Sequence, residues 1–316
     1  MIMKRIGLIL SVCFAFTLLP GCKNVKVNKT MLKMIVAASI KENKTPCYAD
    51  SCDKRIGVPY VENGAAAQVV DIYYADKAIR KDAVLIDIHG GFYVGGMRQN
   101  NRPFASVFLK EGFDVVLLEY RLNDGVLDVS DELRDCAAAL DYLSLHAEEL
   151  GLNKDRMFLT GDSAGGHLAL YMAEGSENRA LPVHPDFIVC KGALLNCPAY
   201  DYATFADADG FAESALEWFI GSKYQDKDWM ASVSPRTYFA DYSGPLFVST
   251  CTNDFIRLQS LILKADCEKL ERPLEWVDIE SEDKAVGHVH NVVNQDLPES
   301  RTVNAKMVEF MNKCLE

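Results

Sequence analysis

The chain has 316 residues, of which 49% are hydrophobic and 25% charged, with a formal net charge of −12. That balance permits a sizeable core and belongs to ordinary globular proteins. The excess of acid excludes nucleic acid and an anionic membrane surface as partners held by charge.

The first 22 residues read as an export segment and are set aside from fold reasoning. Met1-Ile2-Met3-Lys4-Arg5 is a short basic start, and Ile6 to Leu19 is almost wholly apolar. The run is short for a permanent bilayer span and fits the hydrophobic region of a signal. It ends in Leu19-Pro20-Gly21-Cys22, which resembles a bacterial lipobox. Cys22 would then be lipidated and become the mature N-terminus, although Pro20 is unusual at its place. The alternative is an ordinary cleaved signal. Either reading takes the protein out of the cytoplasm, and contact with a membrane is expected only through the N-terminal lipid anchor, whose several chains would hold the domain firmly. The roughly 290 residues that follow suffice for one large α/β domain or two small ones.

Residues 23–60 are polar, with one apolar helical patch from Met31 to Ile40, and read as an N-terminal linker or cap segment. From residue 61 to 316, short β-rich runs alternate with helical patterns, which predicts a mostly parallel sheet covered on both faces. Val69 to Tyr74 alternates as a half-exposed strand. Val84 to Ile88, Val115 to Leu118 and Arg156 to Thr160 are apolar runs suited to buried strands. Phe187 to Leu195, Leu246 to Thr250 and Leu274 to Ile279 complete the set. Helical spacing covers Val129 to Leu150, with Ser130 as cap and Gly151 as stop. Ser163 to Ala173, Arg257 to Leu270 and Arg301 to Leu315 are the other helices. Residues 198–242, rich in Tyr, Phe, Trp and Asp with a short helix near Ala212 to Ile220, read as a small cap over a pocket.

Eight cysteines follow Cys22, with no paired Cys-x-x-Cys units to hold zinc. Cys136, Cys190 and Cys251 sit in apolar patterns and are expected as packed thiols. Cys47 and Cys52, in a polar loop, are the disulfide candidates; a disulfide and two free thiols are both open.

Two motifs carry chemistry. Gly161-Asp162-Ser163-Ala164-Gly165-Gly166 follows a buried strand and opens a helix, so Ser163 is expected on a sharp turn at the sheet edge. The glycines relieve crowding there, and the helix N-terminus adds partial positive charge. His89-Gly90-Gly91-Phe92 follows an earlier strand, where backbone N–H groups of a Gly-rich turn can receive a developing oxyanion. Together the motifs resemble the hormone-sensitive-lipase-like branch of the α/β-hydrolase carboxylesterases. The likeness runs from about residue 65 to the C-terminus and includes Tyr120-Arg121-Leu122, Asp135 and Ala137 to Leu143. The chain departs where Phe92 replaces a usual third Gly and where Asn123-Asp124-Gly125 replaces an Ala-Pro-Glu run. The resemblance implies oxyanion donors at the N–H groups of Gly91, Phe92 and Ala164, and a Phe92 ring that narrows the acyl site.

It also implies the chain order Ser, acid, His. Asp254 lies in the turn after a buried strand, at the sheet end that carries Ser163. Asp266 and Asp278 fall in a helix and a strand, and Asp283 in a charged loop, so Asp254 is the expected acid. His184 comes before a strand, which leaves His288 and His290; His288 is favoured as base. His89 and Asp162 are read as braces rather than catalytic groups. The expected reaction is ester hydrolysis through a Ser163–His288–Asp254 triad and an acyl-enzyme, with no metal or organic cofactor. Short acyl or aryl esters, free or borne on a glycan, are the expected substrates. A peptidase or amidase on the same fold and a hydrolase-like surface binding protein are the rivals.

Overall fold

The computed structural model describes residues 44–174, 190–206 and 211–316. The export segment with Cys22, the Met31 to Ile40 patch, His184, and Phe187 to Val189 lie outside them. The elements in chain order are β1 (Lys54–Pro59), β2 (Val69–Tyr73), β3 (Val84–Ile88), α1 (Arg102–Lys110), β4 (Asp114–Leu118), α2 (Val129–Leu145), β5 (Met157–Asp162), α3 (Ala164–Ala173), β6 (Cys190–Asn196), α4 (Phe211–Ile220), β7 (Leu246–Cys251), α5 (Arg257–Lys269), β8 (Leu274–Ile279) and α6 (Pro298–Leu315).

The eight strands form one sheet in the order β1-β2-β4-β3-β5-β6-β7-β8. The first two pairings, β1 with β2 and β2 with β4, are antiparallel. All later ones are parallel. Every residue of β3, β4 and β5 is buried, as continuous apolar runs require when helices cover both faces. One face packs Ile86, Val116 and Leu159 against Leu140, Leu168 and Leu263 of α2, α3 and α5. The other packs Leu85, Leu117 and Phe158 against Phe108 of α1 and Met307 of α6. This is the mostly parallel, helix-flanked α/β architecture that the alternating pattern predicts.

Three local features differ from expectation. The sheet begins before residue 61, because β1 pairs at the edge and needs no apolar run; Asp71 Oδ1 accepts the Gly57 N–H at 2.7 Å where its register shifts. The cap of α2 is Asp128, which accepts the Ser130 N–H at 2.9 Å, while its own N–H donates to Asp131. That reciprocal box is closed by an Asp at the third helical position. Finally, the expected helix to Leu150 breaks at His146, and a short turn over Ala147–Leu150 ends at left-handed Gly151. Cys47 and Cys52 flank a single 3-10 turn as free thiols.

Candidate active site

Ser163 sits between β5 and α3 with φ 55 and ψ −117, a strained position for a residue with a side chain. Its N–H donates to Asn196 O at 2.9 Å, and its C=O accepts the Ala199 and His167 N–H groups. These bonds fix the bend from both sides. A Cβ on Gly165 would stand 1.9 Å from Ile88 O, and one on Gly161 would stand 2.2 Å from Gly165 O. Only glycine lets the start of α3 approach the end of β3 this closely.

The turn after β3 meets that bend directly. Asp162 Oδ1 accepts the Gly90 N–H at 3.1 Å, joining the residue before Ser163 to the Gly turn. Both nitrogens of His89 face acceptors, Nδ1 toward Gly90 O at 2.8 Å and Nε2 toward Glu119 Oε1 at 3.1 Å. A ring that satisfies both carries two protons. Burial opposes that charge, but the Glu119 hydrogen bond and charge outweigh it and hold the imidazole above its usual value. Burial likewise works against the Glu119 anion, yet His89 and Arg98 bring that carboxyl below its ordinary range. His89 thus braces the turn, stacked on Tyr120 with centroids 4.5 Å apart.

Gly91, Phe92 and Tyr93 all have positive φ, of 132, 58 and 65. The turn therefore holds two side-chain-bearing residues where glycine is at ease, and the resemblance's third Gly matches this backbone. The N–H groups of Gly91, Phe92 and Ala164 have no acceptor among the described residues.

Asp254 follows β7 and His288 follows β8, and the structure brings the two together. The His288 Nδ1–H donates to Asp254 Oδ1 at 2.6 Å. The carboxylate also accepts the Ile256 N–H at 3.0 Å and the Thr250 hydroxyl at 2.9 Å. Burial raises the Asp254 carboxyl, but His288's charge and hydrogen bond, with those donors, bring it below the usual aspartate value. His288 Nε2 is buried with no hydrogen-bond partner among the described residues. The competing candidates are engaged elsewhere. Asp266 pairs with Arg236, and Asp278 with Arg257. Asp283 accepts the Ala285 N–H in its own loop. His290 Nδ1 lies 3.0 Å from Ser300 Oγ, and burial brings its pKa down to about 4.

Sequence reasoning missed Asn253, whose amide donates to Ser281 O, Asp283 O and Val286 O and so pins the loop leading to His288. It also missed Asp87 and Asn101 behind the Gly turn; a carboxylate within the apolar run of β3 was the visible signal.

A cavity of about 190 Å³ opens at Ser163 and Ala164, walled by Phe92, Tyr202, Leu216, Phe219, Phe255 and Leu258. Two of its polar side chains, Gln259 and Thr204, are bonded to each other. Gln259 Oε1 accepts the Tyr200 and Asp201 N–H groups, and its Nε2 donates to Thr204 Oγ1. Cys197 Sγ lies within 4.8 Å of the Asp254 and His288 polar atoms. Burial, then the neighbouring Cys251, pushes the Cys197 thiol well up. A cation there would have to displace the His288–Asp254 proton, so the donor set fits a metal poorly.

Strand order, the Ser163 bend and the acid–histidine pair after the last two strands are those of an α/β-hydrolase. The chain belongs to the BD-FAE family, whose profile matches residues 70–265. It is 34% identical over 101 residues to lipase 2 of Moraxella sp. (strain TA144), which covers 32% of this chain and 23% of that protein. The chain thus spans about a quarter of that lipase's length. Among solved structures, esterase B of Lactobacillus rhamnosis inhibited by a tributyrin phosphonate superposes with TM-score 0.74 at 23% identity, covering 91% of this chain and 96% of the other. A truncated carbohydrate esterase from gut microbiota gives TM-score 0.68 at 16% identity, covering 86% and 99%. Among the described residues, no helix is long and apolar enough to cross a membrane.

Proposed function

We propose that this protein is an exported serine carboxylesterase that cleaves short acyl or aryl esters through Ser163, His288 and Asp254. The reading rests above all on the 2.6 Å bond between His288 Nδ1 and Asp254, with Nε2 buried and free to take a proton. Ser163 Oγ attacks the ester carbonyl as His288 Nε2 accepts its proton. Asp254 holds the tautomer in which Nδ1 carries hydrogen and stabilises the imidazolium that forms. The Gly91, Phe92 and Ala164 N–H groups stabilise the oxyanion. The imidazolium protonates the departing alkoxide, water attacks the acyl-enzyme through the same base, and the acid leaves.

The apolar cavity, with Gln259 and Thr204 already bonded, favours an uncharged acyl or aryl group. Any glycan that carries the ester stays outside it. Export and anchoring follow from the sequence through Cys22: palmitate labelling should vanish in Cys22→Ala, and labelling that persists there rules out that anchor. For the chemistry, a fluorophosphonate should label Ser163, and Ser163→Ala should cut p-nitrophenyl acetate hydrolysis roughly ten-thousand-fold or more. An unlabelled Ser163 in folded protein overturns the reading and leaves a binding protein in its place.

A further inference from the structure

Behind the Gly turn lies a pair of carboxyl groups that the mechanism does not use. Asp87 and Asp162 are both buried, on the sheet face covered by α1 and α6. One amide links them: Asn101 Nδ2 donates to Asp87 Oδ2 at 2.9 Å and to Asp162 Oδ1 at 3.0 Å. The two hydrogens of a single NH2 group thus bridge two acids. Two buried carboxylates held by one amide group would repel each other, which favours a proton on one of them.

The surroundings decide which. Asp162 has two donors, Gly90 N–H and Asn101, and faces the imidazoles of His89 and His288. Asp87 has one donor at Oδ2, and its Oδ1 has no partner among the described residues. The flanking strands offer it no other charge. In register with it stand Leu117 of β4 and Thr160 of β5, whose hydroxyl donates to Leu194 O. Apart from Asp162, the titratable group near Asp87 is His89. An ion is disfavoured at Asp87 far more than at Asp162.

We propose that Asp87 is a positioning residue for the oxyanion turn, acting through Asn101 and Asp162 as a neutral carboxylic acid whose loss of a proton disables the turn. Neutral Asp87 lets Asn101 hold Asp162 against the Gly90 N–H, which fixes the turn relative to Ser163. Once Asp87 loses its proton to solvent base, the second charge pushes Asp162 away and competes for the Asn101 amide. The Gly91 and Phe92 N–H groups then lose register with the acyl carbon. Burial and the charge of Asp162 place this ionisation at about 8. The inference rests on the ester-hydrolysis reading, which fluorophosphonate labelling of Ser163 tests separately.

The experiment is a pH series from 6 to 10 with p-nitrophenyl acetate, background-corrected with Ser163→Ala, on wild type and Asp87→Asn. In wild type, kcat should fall above pH of about 8 by roughly tenfold per unit, with KM little moved, because the turn acts on the transition state. In Asp87→Asn, whose amide never ionises, that alkaline limb should vanish. A limb that persists in Asp87→Asn, or no limb in an active wild type, overturns the proposal. Infrared titration needs no turnover. A protonated-carboxyl stretch present in wild type at pH 7, lost above about 8 and missing from Asp87→Asn supports the proposal, and its absence from the wild-type-minus-variant difference at pH 7 overturns it, whatever Ser163 does; the buried Glu132 carboxyl, which burial also pushes well up, is common to both proteins and cancels.

Discussion

The Phe92 ring lies 4.8 Å, centroid to centroid, from that of Phe219, so the Gly turn after β3 touches helix α4. Phe92 also stacks on Phe255 at 5.8 Å, and Phe255 lies 4.3 Å from the His288 ring. Phe92 therefore walls the cavity into which Ser163 opens. Phe92→Gly should open that wall and raise the kcat/KM ratio of p-nitrophenyl octanoate to acetate by about ten- to a hundredfold. An unaltered ratio in a folded variant would place the acyl chain elsewhere.

Asp254→Asn retains the shape of the acid but favours the wrong histidine tautomer, so kcat should drop by about four orders of magnitude. Its stability signature has a defined sign. Asp254 is held below its ordinary pKa in the folded protein, so its stabilisation is present above that ordinary value and is lost as pH falls through the folded one. The melting-temperature advantage of wild type over Asp254→Asn should thus shrink below pH of about 4. Parallel melting curves from pH 7 to 3 would contradict the assignment.

Asp87 has the opposite sign. Its folded pKa is raised to about 8 from 3.8, so its contribution is full below 3.8 and is lost as pH rises to about 8. Asp87→Asn suffers no such loss. Calorimetry at pH 5, 7 and 9 should show the variant gaining on wild type up to about pH 8 and then holding a constant difference. A difference that does not move with pH would mean Asp87 ionises in the folded state as it does in the unfolded chain.

Gly165→Ala tests the close approach beneath Ser163. The new methyl would meet Ile88 O at 1.9 Å, a backbone atom inside a buried strand that has little room to yield. The expected cost is about 3 kcal/mol or more, with loss of most activity. Gly151→Ala, at a left-handed position with open space around it, is the control and should cost about 1 kcal/mol. Equal losses in the two variants would refute the packing argument.

The parallel strands were legible because burial on both faces leaves continuous apolar runs, and Ser163 because glycines and a helix start surround it. The place of Asp254 after β7 was legible from the strand pattern, and the preference for His288 over His290 came from the resemblance; the bond between His288 and Asp254 joins residues 34 places apart. β1 was not legible, since an edge strand with exposed side chains needs only backbone partners. Asp128 was passed over for Ser130 because two capping residues stand two places apart and pattern alone does not rank them. Asp87, Asn101 and Asn253 were hidden for a different reason: each acts on a residue far along the chain, and spacing carries no record of that.

Helix α4 meets the Gly turn through ring contacts around Phe92 and through the Asn123 amide, which donates to Trp218 O, whereas Asp254 and His288 are held by the sheet and their own loops. Selection can accordingly exchange aromatic residues above the cavity and reshape what it admits while the Asp254–His288 pair below stays put. Tolerance to mutation should differ sharply between the two layers, and diversity among descendants of this scaffold should accumulate in the upper one.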